Sequence, residues 1–294
     1  MKQISKAFII LILTAISSVS VHAEPVRVIM FGAHPDDCEF YAGGTAALFA
    51  QMGHKVKFVS LTNGNKGHHL LKPDEIVARR KKEMQEVARI LNIEYDYIDN
   101  NDGELQPTVE NRKKVIKMIC DWKADIVITH RSNDYHPDHR NTAIIVQDAA
   151  YMIGVPLMVP DGTPLRKAPV FLYMADGFKK PAPFTPDIVV DITSVIRQKL
   201  DAICANESQV FEWLPWIDGY EASLPADKKE KRKFVDNLYQ MEWKAEINFK
   251  EAALRWYSSG QVENSDYFEA FEICEYGKIP AGEEIKQLFP MLPR

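Results

Sequence analysis

The sequence has few cysteines, only one long apolar run and no excess of positive charge, and each of these shortages argues against a class of protein. The cysteines are scattered and include no C-x-x-C pair, which argues against a thiolate zinc site or a redox dithiol. We therefore expect free, buried thiols rather than a disulfide framework at Cys38, Cys120, Cys204 and Cys274. The formal net charge of −5 gives the chain no attraction for nucleic acid or for an anionic membrane surface.

The one long apolar run lies at the N-terminus and has the layout of an export signal. Lys2 and Lys6 precede an almost wholly apolar stretch over residues 7–19, and Val21-His22-Ala23 offers small residues at positions −3 and −1 of a cleavage site. This run is shorter than the ~20 residues that a membrane-spanning helix needs. We therefore expect cleavage near Ala23 and a secreted or periplasmic mature protein without an integral membrane span. A retained membrane anchor is the alternative.

Strand-like and helix-like patterns alternate through the first half of the chain. The apolar runs predict strands at 26–32, 56–61, 95–98 and 126–129. The segments between them predict helices at 46–52 (after a turn at Gly43-Gly44), 73–91 and 108–122. This alternation predicts an α/β fold with a mostly parallel sheet, helices on both faces and right-handed crossovers.

The second half of the chain has a weaker pattern. Strands are predicted at 170–174 and 187–192, and a helix at 194–210. The residues after 210 are rich in aromatics and predict a helical extension packed against the sheet, with Trp213, Trp216, Tyr220, Trp243, Trp256 and Tyr257. Without a repeat or a clear boundary, we expect a single domain over 24–294, with a core at about 24–210 and the extension at about 211–294.

Two short polar clusters follow the first and the fourth predicted strands. They are His34-Pro35-Asp36-Asp37-Cys38-Glu39 and His136-Pro137-Asp138-His139. In doubly wound sheets, ligands bind beyond the carboxyl ends of the strands where the strand order reverses, which commonly falls between the first and fourth strands. This topology would bring the two clusters together although about a hundred residues separate them.

The clusters offer the ligands of a catalytic zinc site. Such a site has three protein ligands drawn from His, Asp and Glu and leaves one position open for water. His34, Asp37 and His139 meet that count. Two His ligands suit Zn²⁺ better than a hard cation. A Mg²⁺-dependent phosphoesterase built on the carboxylates is the alternative.

The neighbouring residues would transfer protons and stabilise charge. Asp36 could take a proton from water as general base. His136 could donate a hydrogen bond to the oxyanion of a tetrahedral intermediate, or protonate the leaving group. Asp138 could fix the tautomer of one imidazole, and His130 could support the site from its strand end. Either cluster alone could be only a turn with a capping residue, but their joint placement at two strand ends indicates a hydrolytic site.

These motifs, with Ala33 before the first cluster, resemble the LmbE/PIG-L family of zinc-dependent N-deacetylases. The resemblance covers residues 26–209 and includes Thr62-Asn63-Gly64 and Ser208-Gln209. It implies a Rossmann-like fold and removal of an acetyl group, mostly from N-acetylglucosaminyl conjugates. It also implies that His34, Asp37 and His139 bind zinc, that Asp36 is the base and that His136 stabilises the intermediate.

The resemblance further implies two substrate-binding residues. Arg80 would line the pocket and reach a sugar hydroxyl or phosphate; its alternative role is an ion pair with Glu83 or a neighbour on the helix surface. Asn63 would contact the substrate from the loop after the second strand. Two departures from the family pattern bear on substrate choice. Asn65 replaces a usual acidic residue, and Asn206 replaces a frequent histidine.

We therefore expect an exported zinc hydrolase that removes an acetyl group from an N-acetylated amino sugar or glycoconjugate, with a small molecule or glycan as its substrate. An amidase of the same family that acts on a larger acyl or thiol conjugate is one alternative. A non-catalytic sugar-binding protein on the same scaffold is another. The sequence carries no indication of the oligomeric state.

Overall fold

The predicted alternation of strands and helices is present in the structure. The computed structural model describes residues 24–242 and 247–293. Residues 1–23, the predicted signal, and Trp243 lie outside the described residues. The first half of the chain contains, in order, β1 (Arg27–Gly32), α1 (Asp37–Gln51), β2 (Lys55–Ser60), α2 (Pro73–Leu91), β3 (Glu94–Tyr97), α3 (Val109–Trp122), β4 (Ile126–Thr129) and α4 (Pro137–Met152).

The second half adds three strands and six helices to the described structure. They are β5 (Val170–Met174), β6 (Ile188–Asp191), α5 (Ile196–Ala205), α6 (Leu214–Ile217), α7 (Lys228–Glu242), α8 (Ile247–Ala253), α9 (Ser259–Glu263), β7 (Phe268–Ile273) and α10 (Gly282–Leu288). A short π-helix, Gln209–Trp213, precedes α6. None of the helices in the described ranges is both long and apolar enough to cross a bilayer.

The strands form one sheet in the order β3-β2-β1-β4-β5-β7-β6. Strands β1 to β5 run parallel, and β7 pairs antiparallel with both β5 and β6. The order reverses between β1 and β4, as predicted, so the two polar clusters begin beside each other at the switch point.

Helices cover both faces of the sheet, as predicted. Val28 and Met30 of β1 pack in the layer that contains α1, α2 and α5, whereas Ile29 and Phe31 pack in the layer that contains α3 and α4. Because both faces of β1 are buried, its apolar run is continuous rather than alternating. The four cysteines all lie in the described ranges and are free and buried, which confirms the predicted thiols.

The prediction of a purely helical C-terminal extension is incomplete, because β7 belongs to the sheet. Its register places Ile273 opposite Leu172 of β5 and Phe271 opposite Ile188 of β6. Glu269 interrupts the apolar pattern of β7, yet its side chain is buried and pairs with Lys199 at 2.8 Å. The sequence pattern does not show that the carboxylate of Glu269 is buried beside a partner distant in the chain, so it did not predict this strand.

The predicted turn at Gly43-Gly44 is wrong, because α1 begins at Asp37 and continues through both glycines. A Cβ at Gly44 would lie 2.8 Å from Cβ of Ile192, so the glycine permits close packing in the middle of the helix. The N–H groups of Gly44 and Thr45 donate to the carboxylate of Glu269 at 2.9 and 2.7 Å. The early start of α1 places Asp37 in its first turn, at the switch point.

Candidate metal centre and active site

The two clusters occupy adjacent strand-to-helix turns. After β1, the backbone N–H groups of Asp36 and Asp37 donate to the carbonyl of His34 at 3.0 and 3.3 Å, which closes a tight bend. The second cluster forms the start of α4, with His136 as N-cap and Pro137 as the first helical residue. Both turns therefore present their side chains at the same edge of the sheet.

The three predicted metal ligands converge on one point. His139 Nε2 lies 3.3 Å from His34 Nδ1 and 3.4 Å from Asp37 Oδ1. His34 Nδ1 lies 3.6 Å from Asp37 Oδ2. Ligand atoms at zinc-binding distance in a tetrahedral site are about 3.4 Å apart. The closest approaches involve both oxygens of Asp37, and the spacing of the three side chains is of the size expected around a single metal ion.

The carboxylates around the two imidazoles determine which nitrogen of each faces the centre. His34 Nε2 lies 3.2 Å from Asp102 Oδ1 and 3.3 Å from Asp138 Oδ2, and His139 Nδ1 lies 3.1 Å from Asp134 Oδ1. The contacts of His34 favour a proton on its outer nitrogen, Nε2, whereas at His139 Nδ1 the negative charge of Asp134 has the same effect without hydrogen-bond geometry. The lone pairs of His34 Nδ1 and His139 Nε2 then face each other, and a cation between them would relieve their repulsion.

The electrostatics of the cluster also fit a cation. Burial lowers the pKa of His34, but hydrogen bonds with Asp102 and Asp138 outweigh it and raise that pKa well above its ordinary value. Burial likewise opposes protonation of His139, yet Asp37 and Asp134 raise its pKa to about 9. Without a metal the site attracts protons, so its potential is negative.

Asp138 has the supporting position predicted for it. Its carboxylate is buried and accepts hydrogen bonds from the N–H groups of Gly103 at 2.6 Å and Leu105 at 3.1 Å. Asp138 Oδ2 is thereby held 3.3 Å from His34 Nε2. It orients His34 and ties the loop after β3 to the site.

Asp37 is held by the backbone and by His130. Its Oδ2 accepts from the N–H groups of Ala33 and His34 at 2.8 Å each and lies 3.2 Å from His130 Nε2. Although burial opposes ionisation, His139 and His130 hold the pKa of Asp37 well below its usual range. His130 also stacks on His139 with ring centroids 4.2 Å apart. The structure therefore gives His130 the supporting position expected of it.

Three other groups of side chains in the described ranges lie close enough to hold an ion. They are His34, His136 and His139; Asp37, His130 and His139; and His34, Asp102 and Asp138, with ligand atoms within 4.8 Å of one another. The Nδ1 atom of His136 accepts the N–H of Asp138, and His130 Nε2 faces Asp37. The predicted set of His34, Asp37 and His139 shares residues with each of these groups, and the choice of that set stays a prediction.

Asp36 and Arg80 form a buried ion pair beside the metal ligands. Arg80 Nη2 lies 3.0 Å from Asp36 Oδ2 and also contacts the carbonyl of Pro35. Burial raises the pKa of Asp36 to about 6, against the lowering effect of Arg80. Arg80 lines the cavity, but it is only 1% exposed. It lies 3.7 Å from Glu83, so the ion pair considered as its alternative role is present, but both side chains are buried rather than on the helix surface.

His136 is half-buried and lines the same cavity. Because its Nδ1 accepts the N–H of Asp138 at 3.2 Å, the proton of the neutral ring is on Nε2. Burial, followed by the neighbouring His34 and His139, lowers the pKa of His136 below its ordinary value. His136 can therefore act as a neutral hydrogen-bond donor.

The side chain of Asn63 is bonded within the loops at this edge of the sheet, and its predicted contact with the substrate stays a prediction. Its side chain donates to Asp99 Oδ1 at 2.8 Å and accepts the N–H of Asn65 at 3.1 Å, and it does not line the cavity. Asn65, one of the two departures from the family pattern, accepts the N–H of Asp102 at 2.9 Å. The other departure, Asn206, donates to Glu39 Oε1 at 3.2 Å.

Sequence reasoning missed two carboxylates of the site, Asp102 and Asp134. Asp102 lies in the loop after β3 and lines the cavity, whereas Asp134 precedes His136 by two residues. Both follow strands whose carboxyl ends lie at the same sheet edge as the clusters. An acidic residue in each loop at this edge is the signal that could have identified them.

The candidate metal centre opens into a cavity of about 610 Å³, within the usual size range of ligand sites. The residues of the two clusters line one part of it. Residues much later in the chain contribute to the rest of the wall, among them Gln209, Trp213, Tyr220 and Tyr239.

Comparisons with known proteins agree with this geometry. The family model described as "PIG-L: GlcNAc-PI de-N-acetylase" matches residues 29–150, which include both clusters. The diacetylchitobiose deacetylase of Thermococcus kodakarensis is 30% identical over 202 residues, 65% of this chain and 74% of the relative.

Solved structures show the same fold. The N,N'-diacetylchitobiose deacetylase from Pyrococcus horikoshii aligns with a TM-score of 0.63 at 25% identity, over 85% of this chain and 84% of that one. The 4-carboxy-2-hydroxymuconate hydratase from Pseudomonas putida KT2440 aligns with a TM-score of 0.65 over 87% of this chain and 98% of that one, but at 18% identity it shows the fold alone. Taken with the match to the Thermococcus deacetylase, these findings establish that the chain belongs to the PIG-L (LmbE) family.

Proposed function

We propose that this protein is a zinc-dependent N-deacetylase that hydrolyses the acetamide of an N-acetylated amino sugar or glycoconjugate. The observation that carries the proposal is the convergence of His34 Nδ1, Asp37 and His139 Nε2 within 3.3–3.6 Å, with Asp36 beside them in an open cavity. Two relatives with the same fold are named as deacetylases of diacetylchitobiose, an N-acetylated disaccharide, which supports this substrate class.

The ligand set would supply Lewis-acid chemistry. A zinc ion held by His34, Asp37 and His139 would polarise the acetamide carbonyl and lower the pKa of a nearby water. Two neutral imidazoles and one carboxylate leave a net positive charge on such a site. Asp102, Asp134 and Asp138 keep the imidazoles in the tautomers that bind a metal.

Asp36 would take the proton that water loses, and His136 would stabilise the negative charge that develops on the carbonyl oxygen. As a water oxygen bonds to the acetamide carbon, Asp36 takes the water proton. The carbonyl oxygen becomes negative and accepts a hydrogen bond from His136 Nε2–H. The C–N bond then breaks, the nitrogen takes the proton held at Asp36, and the products are the free amine and acetic acid, which ionises to acetate in water. The other role considered for His136, protonation of the leaving group, suits this neutral ring less well than donation to the oxyanion.

Acetate release tests the proposal. The purified protein should release acetate from N-acetylglucosamine or N,N'-diacetylchitobiose when supplied with zinc, and chelation by EDTA should abolish the release until zinc is restored. Restoration by Mg²⁺ alone, or activity that survives chelation, would contradict zinc dependence.

The same assay separates the remaining alternatives. Absence of acetate with every acetylated sugar, together with cleavage of longer amides or thiol conjugates, would indicate the larger-acyl amidase. Sugar binding without any product would indicate a non-catalytic protein. Hydration of 4-carboxy-2-hydroxymuconate would indicate chemistry like that named for the Pseudomonas structure.

We also propose that the protein is exported. The charged start, apolar run and small residues before Glu24 support this localisation. N-terminal sequencing of protein expressed from the full gene should begin at Glu24. A retained Met1 in protein isolated from the membrane would indicate an anchor.

A further inference from the structure

The cavity extends beyond the metal centre along a wall that belongs to the second half of the chain. Gln209, Trp213, Asp218 and Tyr220 line it, in continuity with His34 and His136. These four residues lie outside residues 29–150, the part of the chain that matches the family model. Apart from Gln209, which belongs to the Ser208-Gln209 motif, this wall therefore lies outside the residues that carry the family match and the family resemblance.

Polar contacts fix the position of this wall. Gln209 Nε2 donates to the carbonyl of Gly67 at 2.9 Å. Glu212, on the same π-helix, lies 2.9 Å from His68 Nε2 and accepts from Arg79 at 2.6 and 2.8 Å. The π-helix is thus tied both to the loop after β2 and to α2, so the wall is built into the fold.

A stack of rings sets the orientation of Trp213. Its ring centroid lies 5.3 Å from that of Trp216, with an interplanar angle of 23°. Trp216 in turn stacks on His69 at 4.7 Å and 3°. Trp213 lines the cavity, whereas Trp216 does not and is 44% exposed. The stack therefore holds one indole against the cavity.

The wall borders the metal centre through the loop after β2. A Cβ at Gly67 would lie 3.4 Å from Asp102 Oδ2 and 3.6 Å from the side-chain amide of Gln209. Asp102 lies 3.2 Å from His34. Gly67 thus lies between Gln209 and Asp102, whose carboxylate contacts His34, and Trp213 follows Gln209 on the same π-helix. A ligand larger than one ring could contact both regions.

We propose that this wall is a second subsite, which binds the neighbouring sugar ring of a disaccharide or longer oligosaccharide whose acetamide lies at the metal centre. The inference rests on the proposed deacetylase function. A pyranose ring presents C–H groups on its faces and hydroxyls at its rim. Trp213 and Tyr220 offer aromatic surface to the faces, and Gln209 and Asp218 offer polar atoms to the hydroxyls. A purely apolar group in the same place would leave those polar atoms without new partners.

Kinetics with the zinc-loaded full-length enzyme test the subsite. The wild type should have a kcat/KM for N,N'-diacetylchitobiose about tenfold above that for N-acetylglucosamine. Trp213→Ala should lower this ratio about tenfold, as expected for loss of an aromatic contact. Trp213→Phe should retain most of the ratio, and it keeps the test possible if the alanine variant does not fold.

Tyr151→Ala is the control for loss of an aromatic ring, because Tyr151 is 78% exposed, lies outside the ring stack and does not line the cavity. It should leave the ratio as in the wild type, and an equal fall in both variants would overturn the subsite. Equal kcat/KM values for the two sugars in the wild type would also overturn it and leave the deacetylase function intact. An octyl N-acetylglucosaminide preferred over the disaccharide would indicate an apolar occupant instead. Absence of acetate from all three would contradict both proposals.

Discussion

Arg80 Nη2 lies 3.0 Å from Asp36 Oδ2 in a region almost closed to solvent. The pair balances two opposing effects on the carboxyl. Burial raises the pKa of Asp36 to about 6, while the guanidinium favours the ionised form. The result is a carboxylate that is ionised at neutral pH and still basic enough to take a proton from water. Arg80 is therefore a positioning residue whose charge acts on the base.

Substitution of Asp36 should separate catalysis from metal binding. Asp36→Asn keeps the shape of the side chain but removes the base, so kcat should fall on the order of 10²- to 10⁴-fold. The zinc content should be unchanged, because Asp36 is not among the three ligands. Acetate release and metal analysis on the same sample measure both quantities. Activity within a few-fold of the wild type would show that Asp36 is not the base.

Substitution of Arg80 should change the pH dependence. Activity requires the ionised form of Asp36, so kcat/KM should rise with pH through a limb at or below about 6, since a bound cation would lower the pKa further. Arg80→Gln removes the charge that lowers the pKa of Asp36. The acid limb should therefore move to higher pH by about one unit or more.

A pH profile of kcat/KM from pH 4.5 to 9 checks the effect of Arg80, with the exposed Arg89→Gln as the control for loss of a positive charge on the same helix. If Arg80→Gln lowers the plateau of kcat/KM but leaves the acid limb at its wild-type pH, Arg80 acts by contacting the substrate, as the family resemblance implies.

Much of the fold could be predicted because its signals are local. The bounds of α2, β4 and β5 were predicted as observed, since Pro73 marks the start of one and the two strands are continuous apolar runs. β7 could not be predicted in this way. Its Glu269 is stabilised by two partners that are distant in the chain. One is Lys199, and the other is the backbone of α1, which lies more than two hundred residues before Glu269.

In the candidate site, too, some features follow from the local sequence and others depend on tertiary contacts. His34, Asp37 and His139 could be predicted to meet because each follows a strand at the switch point. The direction of the Asn63 side chain could not, because it depends on Asp99 in another loop. The burial of Arg80 likewise depends on tertiary packing rather than on the pattern of its own helix.

Two histidine variants should distinguish the alternative ligand sets. His139→Ala removes an atom that lies 3.3 Å from His34 Nδ1 and 3.4 Å from Asp37, so it should reduce zinc occupancy sharply after dialysis. His136→Ala should retain zinc and lose activity on the order of 10²- to 10³-fold, as expected for loss of an oxyanion donor. Metal analysis of both variants at equal free zinc provides the comparison. Loss of zinc from His136→Ala with retention in His139→Ala would reverse the assignment.

Glu39 is a second buried carboxyl group in the neighbourhood of Asp36. Its side chain is fully buried, accepts hydrogen bonds from Tyr95 Oη and Asn206 Nδ2 at 3.2 Å each, and has a pKa raised to about 8 by burial and then by Asp36. At neutral pH it is therefore protonated in the folded protein and ionised in the unfolded chain, where its pKa is near the ordinary 4.5. Between pH 4.5 and pH 8, the folded state therefore binds one more proton at Glu39 than the unfolded chain does.

This difference predicts how Glu39→Gln changes stability. Because the folded state binds more protons between pH 4.5 and 8, the contribution of Glu39 to the free energy of unfolding falls as the pH rises through that window. The amide of Gln resembles the protonated carboxyl and does not titrate. The variant should therefore gain stability relative to the wild type as the pH rises, by on the order of a few kcal/mol between pH 5 and 8. Urea unfolding at pH 5, 6.5 and 8 with equal zinc measures the difference, and the exposed Glu275→Gln controls for the change in net charge. A difference independent of pH would show that Glu39 is ionised in the folded protein.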